Sequence, residues 1–445
     1  MNTNKELFEH APVPKAVATM AIPTIITMLV VVIYNMADTF FIGQTNDAMQ
    51  VAAVSLATPV FMIFMALGNL FGIGGTSAIS RALGEKKMEH AKHISAFCAY
   101  AALGVGLLVM ALFLLFMNTI LALIGASENT IDYARIYLQI VSLGGPFIVF
   151  SNTFGNILRA EGAAKESMIG NMIGTILNII LDPILILGLN WGVAGAAIAT
   201  VIGNMAACVF YLLYFLRKKS VLSINPRDFR MGEHIAANVL SIGIPASLNN
   251  ILMSCANIVL NNALAGYGDT PVAAMGVALK VNMFVVLLQI GLCTGIQPLI
   301  GYNYGSGNHK RLNKIFVFTG IAAVAFGTTL TAIMVIAREP IIHAFIDDAA
   351  VVELGIKMVI ALQLAGPVIG ILFLCINTLQ GMGKALPSLV LTFCRQGLIF
   401  VPLILILNAL FGLEGVIYAQ CTADFISIIL ALTICLIVMR KLKKE

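Results

Sequence analysis

The stretch IPTIITMLVVVIYNMADTFFIG, residues 22–43, contains one charged side chain, Asp38, and is otherwise apolar or weakly polar. The hydrocarbon core of a bilayer is about 30 Å thick, and a helix of about 20 apolar residues crosses it. The stretch does not alternate apolar and polar residues as a barrel strand would. It therefore predicts a transmembrane helix, in which every backbone group is paired within the segment.

The composition of the whole chain indicates the same class of protein. Of its 445 residues, 60% are hydrophobic and 11% are charged, and the mean hydropathy is +0.97. Polar residues are too few to cover a water-soluble protein of this size. The apolar content excludes a disordered chain, and 8 cysteines are too few for a disulfide scaffold. The sequence predicts a polytopic helical membrane protein.

Eleven further stretches share the length and the apolar content of the first one. The predicted spans are 16–42, 51–76, 93–117, 133–157, 168–188, 193–216, 237–264, 273–299, 315–336, 355–380, 386–408 and 415–439. The predicted fold class is an all-α polytopic membrane protein with twelve transmembrane helices.

Lysine and arginine residues are distributed unequally between the connections. The amino terminus, the even-numbered connections and the carboxyl tail hold nearly all of them, whereas the opposite connections hold or border only Arg135, Arg338 and Lys357. By the positive-inside rule, the basic side is cytoplasmic. We therefore expect a multi-pass protein of the cell membrane with both termini in the cytoplasm.

The sequence repeats itself when it is shifted by 221 residues. The aligned pairs include Gly74 with Gly295, Gly145 and Pro146 with Gly366 and Pro367, Asn156 with Asn377, and Gly162 with Gly383. Because each copy has six spans, both copies enter from the same side and are parallel repeats related by a pseudo-twofold axis along the membrane normal. We predict an N-terminal lobe at 1–216, a cytoplasmic linker at 217–236 and a C-terminal lobe at 237–445, with a central cleft.

Catalytic and cofactor motifs do not occur in the predicted spans. The cysteines lie in apolar runs without a CxxC pair, the histidines lie in polar connections, and the sequence has no HExxH or GxSxG motif. The glycines of GNLFGIGG, residues 68–75, follow no predicted strand and indicate helix packing. The net charge of +5 is dispersed, so no nucleic-acid partner is predicted. We predict neither an enzyme nor a cofactor.

Charged residues at membrane depth are costly to insert, so each needs an explanation. Asp38 and Asp182 are predicted at one depth in the first lobe, each roughly 6 to 9 Å short of the outer end of its span. Asn178 precedes Asp182 by one helical turn and shares its face, and Thr200 in the next span reaches the same level.

These four residues form a candidate cation site. Oxygen ligands suit Na⁺, and a buried carboxyl group can instead hold a proton. The ion bound there is therefore expected to be Na⁺ or H⁺. In the structural alternative, Asp182 only turns the chain before Pro183 and Asp38 packs against polar groups of its helix.

Pro23 lies inside the first span and predicts a kink, because proline removes a backbone hydrogen bond and clashes with the preceding turn. The kink either lets the helix that carries Asp38 bend or is static, and the sequence leaves both open.

Three charged residues of the second lobe are predicted at membrane depth. Arg395 and Asp424 are expected near the midplane of neighbouring spans, where a neutralising, structural ion pair is predicted. A transport role for Asp424 is the alternative. Lys280 lies roughly 10 Å below the outer end of its span and either reaches the surface or faces the cleft.

Several stretches resemble the multidrug and toxic compound extrusion (MATE) transporters. They are residues 22–43, ISRALGEKK (79–87), LRAEG (158–162), NIILDPILI (178–186) and GVAGAAIAT (192–200). The resemblance extends over essentially the whole chain. NIILDPILI and NALFGLEGVI (408–417) are most similar to the multidrug export proteins of Gram-positive bacteria within that family.

The resemblance implies secondary active antiport, in which Na⁺ or H⁺ moves inward while amphipathic, often cationic drugs move out. It also implies that Asp38, Asn178, Asp182 and Thr200 form the cation site of the DinF-like branch, with Pro23 as its helix kink. The expected partners are small-molecule drugs and the lipid bilayer, and a monomer is expected.

Two features separate this sequence from related transporters. The NorM-like branch has acids in helices 7 and 10, where this chain has residues such as Asn257 and Asn377, so a second cation site of that kind is not expected. A flippase for lipid-linked saccharides is the closest alternative function. Its cleft would need many basic residues for pyrophosphate, whereas only Lys280 and Arg395 are available here.

Overall fold

The computed structural model consists of helices joined by short connections. It describes the backbone of residues 2–45, 47–217, 220–232, 234–345 and 348–442 and, within those ranges, all side chains other than those of residues 2–5, 38, 39 and 48. The described ranges contain no β-strand.

Seventeen α-helices occur in these ranges. Those before the linker are α1 (Asn2–Glu9), α2 (Val13–Gly43), α3 (Ala48–Gly84), α4 (Met88–Leu115), α5 (Met117–Leu123), α6 (Ile131–Ala160), α7 (Ala164–Asp182) and α8 (Gly192–Leu216). Those after it are α9 (Ile235–Ala265), α10 (Asp269–Gly305), α11 (His309–Ile336), α12 (Arg338–Phe345), α13 (Ala349–Gln363), α14 (Gly366–Gly381), α15 (Ala385–Phe393), α16 (Val401–Phe411) and α17 (Leu413–Leu442).

The membrane spans agree with the sequence prediction. In the described part of the chain, eleven helical stretches are long and apolar enough to cross a bilayer, and the bent pair of α13 and α14 makes twelve when it is taken as one span. The predicted fold class, an all-α polytopic membrane protein, is confirmed.

Polar side chains begin helices where the apolar runs start. Asp47 accepts a hydrogen bond from the Met49 N–H (2.9 Å) at the start of α3. Asp348 accepts one from the Ala350 N–H (2.9 Å) at the start of α13. These carboxylates pair N–H groups that the first turn of a helix leaves without a partner.

The same turn follows one helix in each repeat. Gly162 lies beyond the end of α6 with φ 90°, and Gly383 lies beyond the end of α14 with φ 72°. This left-handed conformation favours glycine because glycine has no Cβ. The two glycines are one of the pairs that the sequence repeat aligns.

The helices group into two compact units, and two helices are divided between them. One unit comprises residues 1–8 and 29–247, and the other comprises residues 9–28 and 248–445. α2 and α9, the long first helices of the two repeats, each contribute residues to both units. The predicted lobe boundaries at 1–216, 217–236 and 237–445 stay a prediction.

Equivalent glycines make close contacts with the first halves of α2 and α9. In one unit, a Cβ added to Gly295 of α10 would lie 2.7 Å from the Cα of Ala21 in α2. In the other unit, a Cβ added to Gly74 of α3 would collide with the carbonyl oxygen of Val239 in α9. Gly74 and Gly295 align in the sequence repeat, so both first helices pack through the same position.

The tenth predicted span is broken. α13 ends at Gln363, α14 begins at Gly366, and the two helices are bent by 45°. Pro367 has no N–H, so it cannot continue the hydrogen bonding of α13. The equivalent pair, Gly145 and Pro146, lies inside the continuous helix α6.

The linker after α8 is attached to a buried carboxyl group. The Oε2 atom of Glu161, which follows α6, accepts hydrogen bonds from the Ser220 hydroxyl (2.7 Å) and the Val221 N–H (3.0 Å). Burial raises the pKa of Glu161 to about 7, although these hydrogen bonds and one with Tyr214 favour the charged form. The nearby Glu166 adds to the increase.

We predict that this attachment weakens as the pH rises. Detachment exposes Glu161, and its pKa then returns toward the ordinary value of 4.5. The attachment is therefore strongest below pH 4.5 and is lost as the pH rises through about 7, by roughly tenfold between pH 6 and pH 8. Hydrogen–deuterium exchange of residues 220–224, corrected for intrinsic exchange rates, measures the change. Glu161→Gln stays neutral and should remove the trend, and an unchanged trend in that variant contradicts the prediction.

Candidate functional site

Asp182 ends α7 with a fully buried side chain. Pro183 follows it without an N–H, and the chain continues as a π-helical turn, Pro183–Gly188, after which the Leu189 N–H donates to the Ile184 carbonyl (2.9 Å). Such turns interrupt the regular hydrogen bonding of a helix and often occur at functional sites. The turn holds a carboxyl group inside a membrane span.

Two glycines bring α7 and α8 into backbone contact. A Cβ added to Gly203 would lie 2.6 Å from the carbonyl oxygen of Gly174, and a Cβ added to Gly174 would lie 2.7 Å from the carbonyl oxygen of Gly203. Small residues allow this close approach between helices in lipid. The contact places Asn178 against Thr200, and the Asn178 Nδ2 donates a hydrogen bond to the Thr200 Oγ1 at 3.3 Å.

Asn178 presents a buried oxygen beside Asp182. The residue is 3% exposed, and its Oδ1 has no hydrogen-bond partner among the described residues. An unsatisfied buried acceptor costs about 1–3 kcal/mol. Asp182 lies one helical turn further along the same face. Amide, carboxylate and hydroxyl oxygens therefore lie in one region of the unit, and they are the ligands that hard cations prefer.

Other polar residues extend this cluster. The Tyr34 hydroxyl lies 3.5 Å from the Thr200 Oγ1, and the Asn204 Nδ2 donates to the Thr200 carbonyl at 2.9 Å. The Ser151 hydroxyl donates to the Asn204 Oδ1 at 2.8 Å. Tyr34, Asn204 and Ser151 were not among the predicted site residues. Tyr34 lies four residues before Asp38 and Asn204 four residues after Thr200, so helical spacing is the signal that would have found two of them.

The structure describes the side chains of three of the four predicted ligands. Asn178 and Thr200 are in contact, and Asp182 shares the face of Asn178. The backbone of Asp38 lies in α2, one turn after Tyr34, but its side chain lies outside the described residues. Within the described part of the chain, no group of three or more His, Cys, Asp or Glu residues could hold a metal ion. The assignment as a cation site stays a prediction.

Pro23 lies within α2, which is assigned as one helix from Val13 to Gly43. The Thr27 hydroxyl donates a hydrogen bond to the Pro23 carbonyl at 2.9 Å. The kink at Pro23 stays a prediction.

Arg395 and Asp424 are in contact in the second unit. The Arg395 Nε lies 3.0 Å from the Asp424 Oδ1, and the two side chains are 9% and 7% exposed. The Gln420 Nε2 donates to the same oxygen at 3.1 Å, and the guanidinium lies 5.1 Å from the centroid of the Phe373 ring. Both charges are thus enclosed and surrounded by partners, as a buried pair requires.

Lys280 is exposed, and its ammonium group lies 5.2 Å from the centroid of the Phe345 ring at the end of α12. A cation over an aromatic face is attracted by the electron-rich ring. The predicted alternatives for Lys280, the surface or the cleft, both stay open.

Comparisons with known proteins agree with this architecture. A model of the MatE family matches residues 23–184 and again residues 245–406. The multidrug export protein MepA of Staphylococcus aureus (strain NCTC 8325 / PS 47) is 36% identical over 430 residues, which cover 96% of this chain and 94% of that protein. The MepA protein of Staphylococcus saprophyticus is 34% identical over 427 residues, with the same coverage.

Solved structures are similar over their full length. The crystal structure of MATE in complex with MaL6 has a TM-score of 0.96 at 26% identity and covers 100% of both chains. The outward-facing conformation of a multidrug resistance MATE family transporter of the MOP superfamily has a TM-score of 0.93 at 27% identity and covers 100% of this chain and 99% of its own.

The contact between Gly174 and Gly203 leads to a prediction about stability. Gly203→Ala places a methyl group against a backbone oxygen, so α7 and α8 have to separate, and we expect a loss of about 1–3 kcal/mol. Thermal unfolding of the purified protein measures the loss. Gly104→Ala is the matched control, because nothing lies within 4 Å of a Cβ there. Equal melting temperatures for the two variants would contradict the prediction.

The ion pair between Arg395 and Asp424 leads to a second prediction about stability. Arg395→Met leaves the Asp424 carboxylate buried without its cation, and we expect a loss of about 3–5 kcal/mol. The double variant Arg395→Met, Asp424→Leu removes both charges and should be more stable than the single variant. If the role is structural, the double variant also retains drug export, whereas loss of export with intact folding favours a transport role for Asp424.

Proposed function

The chain belongs to the MatE family, as its resemblance to MATE transporters predicted, and we propose that it exports amphipathic, often cationic drugs in exchange for Na⁺ or H⁺. MepA of two staphylococcal species is named a multidrug export protein, and one similar structure is a multidrug resistance transporter. The proposed activity is secondary active antiport by alternating access, without chemical conversion of the drug.

The observation that carries this proposal is the buried oxygen cluster between α7 and α8. The Asn178 Oδ1 is buried without a hydrogen-bond partner among the described residues, and the buried Asp182 lies one turn away on the same face. A cation bound there would give the Asn178 Oδ1 the partner that it lacks among the described residues and would neutralise the carboxylate of Asp182. A proton on Asp182 would neutralise it equally well, so this cluster suits both coupling ions.

The proposed roles follow from the chemistry of each side chain. Asp182 supplies the negative charge, Asn178 and Thr200 supply neutral oxygens, and Asp38 supplies a second carboxylate from α2. Pro23 lies in the helix that carries Asp38 and gives it a place to bend. The hydroxyl group of Tyr34 and the amide of Asn204 hold Thr200 in position.

Coupling requires only that the cation and the drug favour different states of the transporter. The exchange of one proton or Na⁺ for one monovalent cationic drug moves no net charge, so the ion concentration gradient alone would drive it. With a neutral drug the exchange would move one net charge, so the membrane potential would add about 2.3 kcal/mol per charge at 100 mV.

The proposed form of the protein is a monomer in the cell membrane with both termini in the cytoplasm. The distribution of Lys and Arg supports this orientation. The monomeric state is the simplest form of a chain that contains both repeats.

The lipid-linked saccharide flippase is not favoured. A pyrophosphate group would need several unpaired basic residues. Of the two basic residues that the sequence placed at membrane depth, Arg395 is engaged with Asp424 and Lys280 lies over Phe345.

We predict that Asp182→Asn abolishes drug-coupled ion exchange without loss of folded protein. The amide has the size of the carboxyl group but neither its charge nor its proton, so we expect ethidium efflux from proteoliposomes to fall at least tenfold. Asp269→Asn is the matched control, because it makes the same change at an exposed acid at the start of α10. Export at the parental rate by the Asp182 variant would contradict the assignment.

Imposing the Na⁺ and pH gradients separately identifies the coupling ion. Efflux driven by a Na⁺ gradient at equal pH indicates Na⁺, and efflux driven by a pH gradient without Na⁺ indicates H⁺. If neither gradient drives efflux from folded protein, the antiport proposal fails.

A further inference from the structure

The second part of the linker lies along the side of α4. The Ser95 hydroxyl donates a hydrogen bond to the Ser223 carbonyl (2.8 Å), and the Tyr100 hydroxyl donates one to the Ile224 carbonyl (2.8 Å). Further on, the Asp228 carbonyl lies 2.8 Å from the His93 Nδ1. These bonds fix residues 223–228 beside the second to fourth turns of α4.

Aromatic contacts extend this attachment. The ring centroid of Phe229 lies 6.2 Å from that of Phe97, in a stacked arrangement, and 5.8 Å from that of Tyr100, in an edge-on arrangement. The linker is therefore packed against its own unit as far as Phe229.

The position of the linker corresponds to the headgroup layer of a bilayer. α4 has 28 residues and is about 42 Å long, whereas the hydrocarbon core is about 30 Å thick and the headgroup layers bring the total to about 40–45 Å. α4 is therefore about 12 Å longer than the hydrocarbon core, and the excess lies at its start, which carries Glu89 and Lys92, because its last turn is apolar. The contact of His93 with the Asp228 carbonyl lies roughly 7 Å from Met88, within this excess. A segment held at that level meets lipid headgroups rather than open solvent.

The outer edge of the segment is basic and partly apolar. Arg227 and Arg230 are exposed, neither has an ion-pair partner among the described residues, and Met231 is 66% exposed. The intervening acid, Asp228, accepts a hydrogen bond from the Ser223 hydroxyl within the linker. Over residues 217–236 the sequence has five Lys and Arg residues and two acids, Asp228 and Glu233.

We propose that this edge, Arg227 to Met231, binds the phosphate groups of anionic lipids in the adjacent leaflet. A guanidinium group matches phosphate oxygens with two parallel hydrogen bonds. A methionine at the boundary of headgroups and acyl chains adds apolar contact beneath the phosphate layer. Basic segments next to a membrane are attracted to anionic lipids within about a Debye length. The linker thereby fastens its unit to the leaflet, a role separate from the proposed transport of drugs.

Lipid retention by the full chain tests the proposal. The protein is reconstituted in nanodiscs of phosphatidylcholine and phosphatidylglycerol, released into the gas phase, and analysed for bound phosphatidylglycerol by native mass spectrometry. Arg227→Gln with Arg230→Gln should reduce the retained phosphatidylglycerol about fivefold. Arg440→Gln with Lys441→Gln is the matched control, because it removes the same charge from exposed residues at the end of α17. Retention equal to the parental protein, or an equal loss in both double variants, would overturn the proposal.

Proteolysis of the unaltered chain gives an independent measurement. Trypsin cleaves after Arg227 and Arg230, and lipid bound at these residues protects both bonds. We expect cleavage to be about tenfold slower in nanodiscs that contain phosphatidylglycerol than in nanodiscs of phosphatidylcholine alone, and high salt should reduce the difference. Equal cleavage rates in the two lipids would show that phosphatidylglycerol does not cover these residues and would also overturn the proposal.

Discussion

Lipid chains are as apolar as the side chains of the helices, so helices in a bilayer gain little by turning apolar faces toward each other and depend on close packing instead. In this chain glycine provides the closest of the contacts described above. Gly174 and Gly203 bring the backbones of α7 and α8 together, and Asn178 and Thr200 meet about one turn away from that contact. The oxygen cluster proposed to bind the coupling ion is thus a product of helix packing.

Much of the fold could be predicted from the sequence, because the bilayer fixes the length of each span and requires each span to pair its own backbone. The shifted alignment also predicted equivalent positions, and Gly162 and Gly383 adopt the same left-handed turn. The break in the tenth span could not be predicted in this way. Gly145 with Pro146 and Gly366 with Pro367 are the same in sequence, and only the second pair begins a new helix.

The candidate site was predictable to the extent that helical spacing determines it. Asn178 and Asp182 share a face because they are one turn apart, and Thr200 was expected at their level. Spacing along a helix gives the direction of a side chain but not the neighbour it meets, so the contact of Tyr34 with Thr200 depends on how α2 packs. The sequence likewise gave no indication that Glu161 would hold the linker, since a carboxyl group next to a helix end is usually solvated.

Gly74 and Gly295 each contact the first half of the opposite repeat's first helix. A single-repeat ancestor with these contacts would have formed a swapped homodimer, in which each protomer lends the beginning of its first helix to its twin, and domain swapping is a low-cost route to dimers. With six spans, both protomers would have shared one orientation, so gene duplication needed only a short bridge on a single side to fuse them. The present protein would then correspond to such a dimer fused into a single chain, in which neither repeat is complete without the other.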